Sequence, residues 1–330
     1  MKNIYILAVF VIISSNIYAQ LDGPRTYWAL PKNLNILSAH GINGSANASL
    51  NSLTFINPSV VAENNLYMLT YTRSQPIFGR TFYSTLIVPA GNINAAINID
   101  PQGPATISET LFQHGFGDIV WSNTINLVGA EGLMIKDFLR HENRTLIYLQ
   151  AAITLPTGKY EEGNPINIGS NQYKFKIGLP MVQRLGNFVD GHRMSLEVFP
   201  AFTMLGDNNE FQGQEINQKG IFSLESHLTK DITSDAFLSL DYSFINGGNA
   251  EFTSKETGTL IKEQTAQQVH LIGASVGFNI NDRLNLFLTH NQTFASGNDN
   301  ISLDGSVTKL TLSWSFHDFQ EKFRSYIDSN

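Results

Sequence analysis

From about residue 34 to residue 316 the polarity of this sequence changes at every second position, segment after segment, and no apolar run is long enough for a transmembrane helix. Period-two alternation is the pattern of a strand with one apolar and one polar face. In Thr145 to Leu155, Ile147, Leu149, Ala151 and Ile153 alternate with Tyr148, Gln150, Ala152 and Thr154; in Arg283 to Asn291, Leu284, Leu286 and Leu288 alternate with Asn285, Phe287 and Thr289. The same reading gives Leu34 to Gly44, Leu66 to Ser74, Phe82 to Ala90, Asp118 to Val128, Tyr173 to Gln183 and Met194 to Leu205. It continues with Ile221 to Lys230, Phe237 to Ile245, Gln268 to Ile280 and Thr308 to Phe316. Roughly twelve strands result, an even number, as in bacterial single-chain membrane barrels.

The connectors give a second test, because membrane barrels place short turns on one side and long loops on the other. Gln75 to Arg80, Leu185 to Arg193, Asp231 to Asp235 and Asn281-Asp282 are tight. They are interleaved with long polar links: Ser45 to Asn65, Asn92 to Gly115, Gly158 to Gln172, Gly206 to Gly220, Gly247 to Gln267 and Ala295 to Ser306. With both ends of the barrel in the periplasm, every long link falls outside. Glu131 to His141 departs from the pattern: Leu133, Met134, Ile135, Phe138 and Leu139 recur at helical spacing, predicting a short amphipathic periplasmic helix at the membrane rim or against the barrel mouth. Pro180 and Pro200 fall inside expected strands and predict bulges or strand ends there.

The first nineteen residues predict export. Lys2 precedes an apolar stretch from Ile4 to Ile13, and Ile17-Tyr18-Ala19 forms a small-residue cleavage site before Gln20, which is not the Cys a lipoprotein would carry. The expected organisation is a signal peptide at 1–19, a periplasmic segment at 20–32, an antiparallel up-and-down transmembrane β-barrel at 33–316 and a periplasmic tail at 317–330. Zero Cys removes disulfides and thiolate metal sites, and a net charge of −7 offers no footprint for nucleic acid. Only 15% of residues are charged and 11% aromatic, a balance that lipid-facing sheet explains, although a soluble sandwich would tolerate it.

The polar faces of the middle strands carry Lys174 and Lys176, then Glu197, then Glu225 and His227, then Asp241. Adjacent strands lie about 5 Å apart, so opposite charges can meet across the wall. They predict either a charged constriction that selects solutes or an ion-pair network that fills a narrow lumen. Gly273-Ala274-Ser275-Val276-Gly277 matches the nucleophile-elbow spacing but continues an alternating strand, where the required strand-to-helix turn is absent; its glycines read as room for close packing. Gly206-Asp207-Asn208-Asn209-Glu210 and Asn298-Asp299-Asn300 carry oxygen ligands without EF-hand spacing and read as polar turns, with a loop cation site as the other reading. Aromatics near strand ends, among them Tyr67, Trp121, Tyr173 and Trp314, suit the membrane interface or ordinary sheet packing. No catalytic residues, metal ligands or cofactors are expected.

Several blocks resemble a known family. Arg25-Thr26-Tyr27-Trp28-Ala29-Leu30-Pro31-Lys32, Gly115-Phe116-Gly117-Asp118, Asn126-Leu127-Val128-Gly129-Ala130, Leu155-Pro156-Thr157-Gly158-Lys159-Tyr160, Asn167 to Tyr173, Gly206 to Phe211 and Gly247-Gly248 are similar to the outer-membrane family labelled "putative meta-pathway of phenol degradation", which also takes in functional-amyloid secretion channels. The resemblance implies a twelve-stranded outer-membrane barrel that passes small, often aromatic or apolar, compounds. The amyloid-secreting members carry a helical plug region before the barrel, and only Gln20 to about Lys32 stands there in this chain. The expected function is therefore an outer-membrane channel or facilitator for small hydrophobic or amphiphilic compounds, not an enzyme. The alternative is a non-transporting barrel that anchors a surface or secretion assembly. The expected partners are outer-membrane lipid, a small-molecule solute and the barrel-assembly machinery; the sequence leaves the oligomeric state open.

Overall fold

The computed structural model describes residues 22–46, 60–99, 107–141, 143–164, 166–189, 192–264, 266–297 and 305–317. The expected signal peptide, most of the expected C-terminal tail and Asn298 to Asn300 lie outside them. In chain order the wall begins with β1 (Leu34–Ala46), β2 (Val60–Ile77), β3 (Arg80–Ile99), β4 (Ile107–Phe116) and β5 (Ile119–Val128). A short helix α1 (Ile135–Phe138) precedes β6 (Thr145–Leu155), β7 (Lys174–Gly178), β8 (Met181–Val189) and β9 (His192–Leu205). Then come β10 (Asn208–Phe211), β11 (Gln214–Gln218), β12 (Ile221–Asp231), β13 (Ala236–Gly247), β14 (Ala250–Ser254) and β15 (Leu260–Gln264). The chain finishes its described course with β16 (Gln267–Asn281), β17 (Leu284–Gly297) and β18 (Gly305–His317).

Counting β4 with β5 and β7 with β8, twelve antiparallel strands form one closed wall, with β12 paired to both β9 and β13 and with β18 returning to β1 from Leu34↔His317 to Ala46↔Gly305. Closure leaves no strand edge facing lipid. The burial pattern is the reverse of a soluble protein's. In β6 the buried face carries Tyr148, Gln150, Ala152 and Thr154, and Ile147, Leu149, Ala151 and Ile153 take the outer face. Tyr67, Leu69, Trp121, Leu240, Ile272 and Leu310 are among the exposed apolar side chains of the outer surface.

Two wall strands are interrupted, each opposite a proline. Pro89 has no N–H, and its carbonyl accepts from Gly117 N (2.8 Å) between β4 and β5, where the pairing of β3 shifts by one residue. The carbonyl of Pro200 accepts from Leu179 N (3.0 Å) between β7 and β8, and Pro180 itself occupies that gap. Since an antiparallel residue aims its N–H and C=O at the same neighbour, each proline's missing donor falls on the broken ladder. The first break frees Asp118, whose carboxylate takes Gly158 N (2.9 Å), Ser170 N (2.8 Å) and Ser170 Oγ (2.5 Å), tying the 156–172 connection to the wall.

Three expectations change. Among the described residues sheet extends into several of the long links: β2 and β3, at 18 and 20 residues, outrun the membrane, which about 9–11 tilted residues cross. Second, β10, β11, β14 and β15, from the links at 206–220 and 247–267, form a separate four-stranded sheet around Phe211, Ile216, Ala250 and Phe252. Asp207 and Asn208 there are engaged in hydrogen bonds with Asn217, Tyr160 and Ser170. Third, the expected short helix is a single turn none of whose side chains is fully buried: Ile135 and Phe138 are half-buried, and Leu139 at its end is exposed.

The Gly273 to Gly277 stretch lies wholly within β16, as the alternation required. A Cβ on Gly273 would stand 2.1 Å from Asn291 Oδ1 and 2.3 Å from the His290 carbonyl oxygen, and one on Gly277 would meet the Phe237 ring. Gly273→Ala is expected to destabilise the barrel by about 1–3 kcal/mol through overpacking against backbone that cannot withdraw, read as a lower midpoint of urea unfolding. An unchanged midpoint would show that β16 and β17 separate more readily than their pairing indicates.

Candidate functional site

Each lumen side chain is placed by the register of the wall. One row runs Glu197↔His227↔Asp241↔Gly273 across β9, β12, β13 and β16. The row next towards the short-turn rim carries hydroxyls: Ser195, Thr229, Ser239, Ser275 and Thr289, ending at Lys309. His227 joins two carboxylates, with Nδ1 2.7 Å from Asp241 Oδ1 and Nε2 3.5 Å from Glu225 Oε2. Asp241 is further held by Ser239 Oγ and Ser275 Oγ, both at 2.5 Å. Charges this deep are tolerable because each one is paired or hydrogen-bonded.

The segment from Asp22 to Lys32, expected in the periplasm, lies inside the barrel. Asp22 N donates to both Glu225 oxygens (2.9 and 3.2 Å), Arg25 N donates to Glu197 Oε2 (2.8 Å), and Trp28 Nε1 donates to Glu197 Oε1 (2.9 Å). The Arg25 guanidinium binds Asp231, which also accepts from Arg193 Nε (3.0 Å). Both guanidiniums lie over the Trp28 ring, at 4.6 and 4.8 Å from its centroid. Tyr27 packs on Phe199 (4.9 Å between centroids) within a buried cluster that includes Tyr83, Tyr148 and Val182. Burial, reinforced by the Asp22 carboxylate, holds the Tyr27 hydroxyl well above its usual pKa, so it stays protonated and donates to Asp22 while accepting from Gln150 Nε2 (3.0 Å). The segment enters the lumen because the acids of β9 and β12 need donors, and its backbone N–H groups supply them.

Of the six residues expected in the lumen, the structure gathers Lys176, Glu197, Glu225, His227 and Asp241 around the tip of this segment, with Lys176 Nζ 3.8 Å from Asp22 Oδ2. Lys174 is buried as well, but it stands at the long-loop end of β7, within electrostatic reach of Asp118. The alternation alone did not reveal Asp22, Arg25, Trp28, Asp231 or Lys309. The only available signal was the Arg25 to Lys32 block, a cluster of aromatic and cationic residues in the segment expected in the periplasm.

Beside the segment the lumen keeps a cavity of about 300 Å³. Its far wall is the row Lys176, Ala152, Ser122, Thr85, Thr72, Ile36 and Ser315, which follows the pairing from β7 to β18. The row nearer the long loops includes Met68 and His40, whose ring nitrogens meet Thr311 Oγ1 (2.9 Å) and Thr70 Oγ1 (3.3 Å). Hydroxyl and aliphatic side chains thus share one surface.

Asp231→Asn leaves two guanidiniums without their carboxylate and is expected to weaken docking of the segment by about 1–3 kcal/mol, less than for a fully buried pair because Arg193 is partly exposed. Acrylamide quenching of Trp28 fluorescence, in a background with Trp121 and Trp314 replaced by Phe, should rise. Quenching unchanged in a folded barrel would mean that the aromatic cluster alone holds the segment.

No curated protein matches the sequence. Among solved structures, the COG4313 outer membrane channel from Pseudomonas putida F1 aligns with a TM-score of 0.68 at 14% identity, over 89% of this chain and 99% of that one. The transport unit of the autotransporter AIDA-I from Escherichia coli aligns at 0.52 and 10% identity, over 91% of this chain and 94% of that one. Both likenesses concern the fold, an outer-membrane barrel. The family model described as "Putative MetA-pathway of phenol degradation" matches residues 43–306, and the chain belongs to that family of outer-membrane barrels.

Proposed function

We propose that this protein is an outer-membrane channel for small hydrophobic or amphiphilic compounds, whose route runs along the cavity between the N-terminal segment and the hydroxyl-bearing wall. The carrying observation is that cavity, whose lining mixes Thr and Ser hydroxyls with Ile36, Met68, Ile87 and Val120 alongside four charged residues, Asp22, Arg25, Lys176 and Lys309. A water-filled ion pore would favour a charged lining throughout; a mixed wall suits a solute with an apolar body and a polar group. Lys174, Lys176, Glu197, Glu225, His227 and Asp241 act in this reading as selectivity residues, in part by holding the segment that narrows the passage.

A second reading, an anchor for a surface assembly, is favoured by the outer sheet, whose edge strand β15 exposes Leu260 and Ile261. Single-channel conductance of the refolded protein in a planar bilayer separates the two. Small steps are expected from the unaltered chain, and larger ones when Glu197→Gln and Asp231→Asn loosen the segment. Ion selectivity is expected to change when Lys176 and Glu225 are neutralised. Absence of conductance in all of these folded variants would overturn the channel reading and favour the anchor.

A further inference from the structure

On the outside of the wall, towards the long loops, the register of β18 and β1 to β4 stacks outward side chains in levels. The lowest runs Leu310↔Gly41↔Tyr67↔Ala90↔Phe116, the next Thr308↔Asn43↔Asn65↔Asn92↔His114, and the third Ser45↔Glu63↔Asn94↔Phe112. In the lowest level large and small residues alternate. Leu310, Tyr67 and Phe116 are 48%, 63% and 66% exposed, and Gly41 and Ala90 leave a depression on either side of Tyr67. A Cβ on Gly41 would meet nothing within 4 Å, and its φ is not positive, so neither packing nor backbone conformation calls for a glycine there. A glycine inside a strand weakens it and marks a place where another group approaches closely. Directly below, Ala39, Leu69 and Val88 continue the face that meets lipid. The middle level is an amide ladder: Asn43 Nδ2 donates to Asn65 Oδ1 (2.8 Å), and Asn65 Nδ2 donates to Asn92 Oδ1 (3.5 Å). The ladder runs in one direction, so an amide oxygen stands at its Asn43 end and an amide NH₂ at its Asn92 end. Beside Asn92, His114 lies against the Phe112 ring (5.5 Å between centroids).

We infer that this face binds a glycolipid of the leaflet on the long-loop side. Two acyl chains would lie in the depressions over Gly41 and Ala90, with the Tyr67 ring between them, and the sugar head would rest on the Asn43, Asn65 and Asn92 amides. Three features converge on this chemistry. Sugar hydroxyls donate and accept, as amide side chains do, so a ladder with one end of each kind matches them without a formal charge. The Phe112 and His114 rings beside the amides offer flat faces to the C–H side of a sugar ring. The depressions open onto the apolar wall below, which fixes the ligand as one carrying chains and not a free sugar. A lipid with an anionic phosphate head would call for clustered Lys or Arg; among the described residues of these levels the only formally charged side chain is Glu63, an anion.

The site lies outside the lumen, so the inference goes beyond the channel reading and stands or falls without it. Its test uses the full chain folded in a zwitterionic detergent and incubated with equal amounts of digalactosyl diacylglycerol, phosphatidylglycerol and phosphatidylcholine of the same acyl chains, the retained lipids being counted by native mass spectrometry. The glycolipid is expected to be retained about fivefold or more over either phospholipid, and Asn92→Leu is expected to bring the three within about twofold. Gly41→Leu, whose side chain enters open space, is expected to lower glycolipid retention about threefold or more without lowering the midpoint of urea unfolding. Equal retention of the three lipids by the unaltered chain, or a preference for phosphatidylglycerol, would overturn the inference, as would a glycolipid preference that survives both substitutions. Full displacement of the glycolipid by millimolar lactose would also overturn it, since the ligand would then be a soluble sugar that needs no chains. The three-lipid comparison on the unaltered chain and the Gly41→Leu protein decide the matter even if Asn92→Leu does not fold.

Discussion

The backbone hydrogen bonds of a wall immersed in hydrocarbon have no water to fall back on, and every other feature of this molecule follows from satisfying them. Closing β18 onto β1 does so around the ring. Once the ring is closed, each strand has one face towards lipid and one towards the interior, so a two-residue alternation in the sequence becomes an apolar outside and a polar inside. The interior then poses the opposite problem from a soluble core: it gathers carboxylates, hydroxyls and cations in a space only about twelve strands wide.

The N-terminal segment answers that problem. Glu197 and Glu225 would be buried carboxylates without enough donors if the wall stood alone, and the backbone N–H groups of Asp22 and Arg25 meet them. Asp231 is met by Arg25 and Arg193, and both guanidiniums lie over the Trp28 ring. These acids lie on β9 and β12, so the segment sits against that side of the lumen and leaves the wall along β1, β2, β3 and β5 lined mainly by hydroxyls and aliphatic groups. An asymmetric interior is thus a consequence of where three acids sit on two neighbouring strands.

Most of the wall was legible residue by residue. Thr145 to Leu155 forms β6 with the expected bounds and faces, and Pro180 falls at a strand break as its missing donor demanded. Pro200 stays inside β9, because the break it causes appears in the neighbouring strand that lacks a donor. The outer sheet was not legible. Strands of four or five residues such as Asn208–Phe211 and Leu260–Gln264 carry too few alternations to stand out from a polar loop, and their small core around Phe211 and Phe252 joins residues some forty positions apart. The short helix between Glu131 and His141 was legible, but its single-turn length was not, because spacing reports which residues share a face, not whether anything covers that face.

The sequence by itself determined the membrane, the strand count and the inward direction of Lys176, Glu197, Glu225, His227 and Asp241, because a period of two assigns every side chain to a face without reference to its neighbours. Only the tertiary structure decided what those residues meet. The stagger of closed strands sets which row aligns with which, and the docking of residues 22–32 against that row depends on contacts across about 170 to 200 positions that no local pattern encodes. The alternation could therefore place charges in a lumen, while the split between the acid-bearing side that holds residues 22–32 and the side lined by hydroxyls and aliphatic groups arose only when the ring closed around that segment.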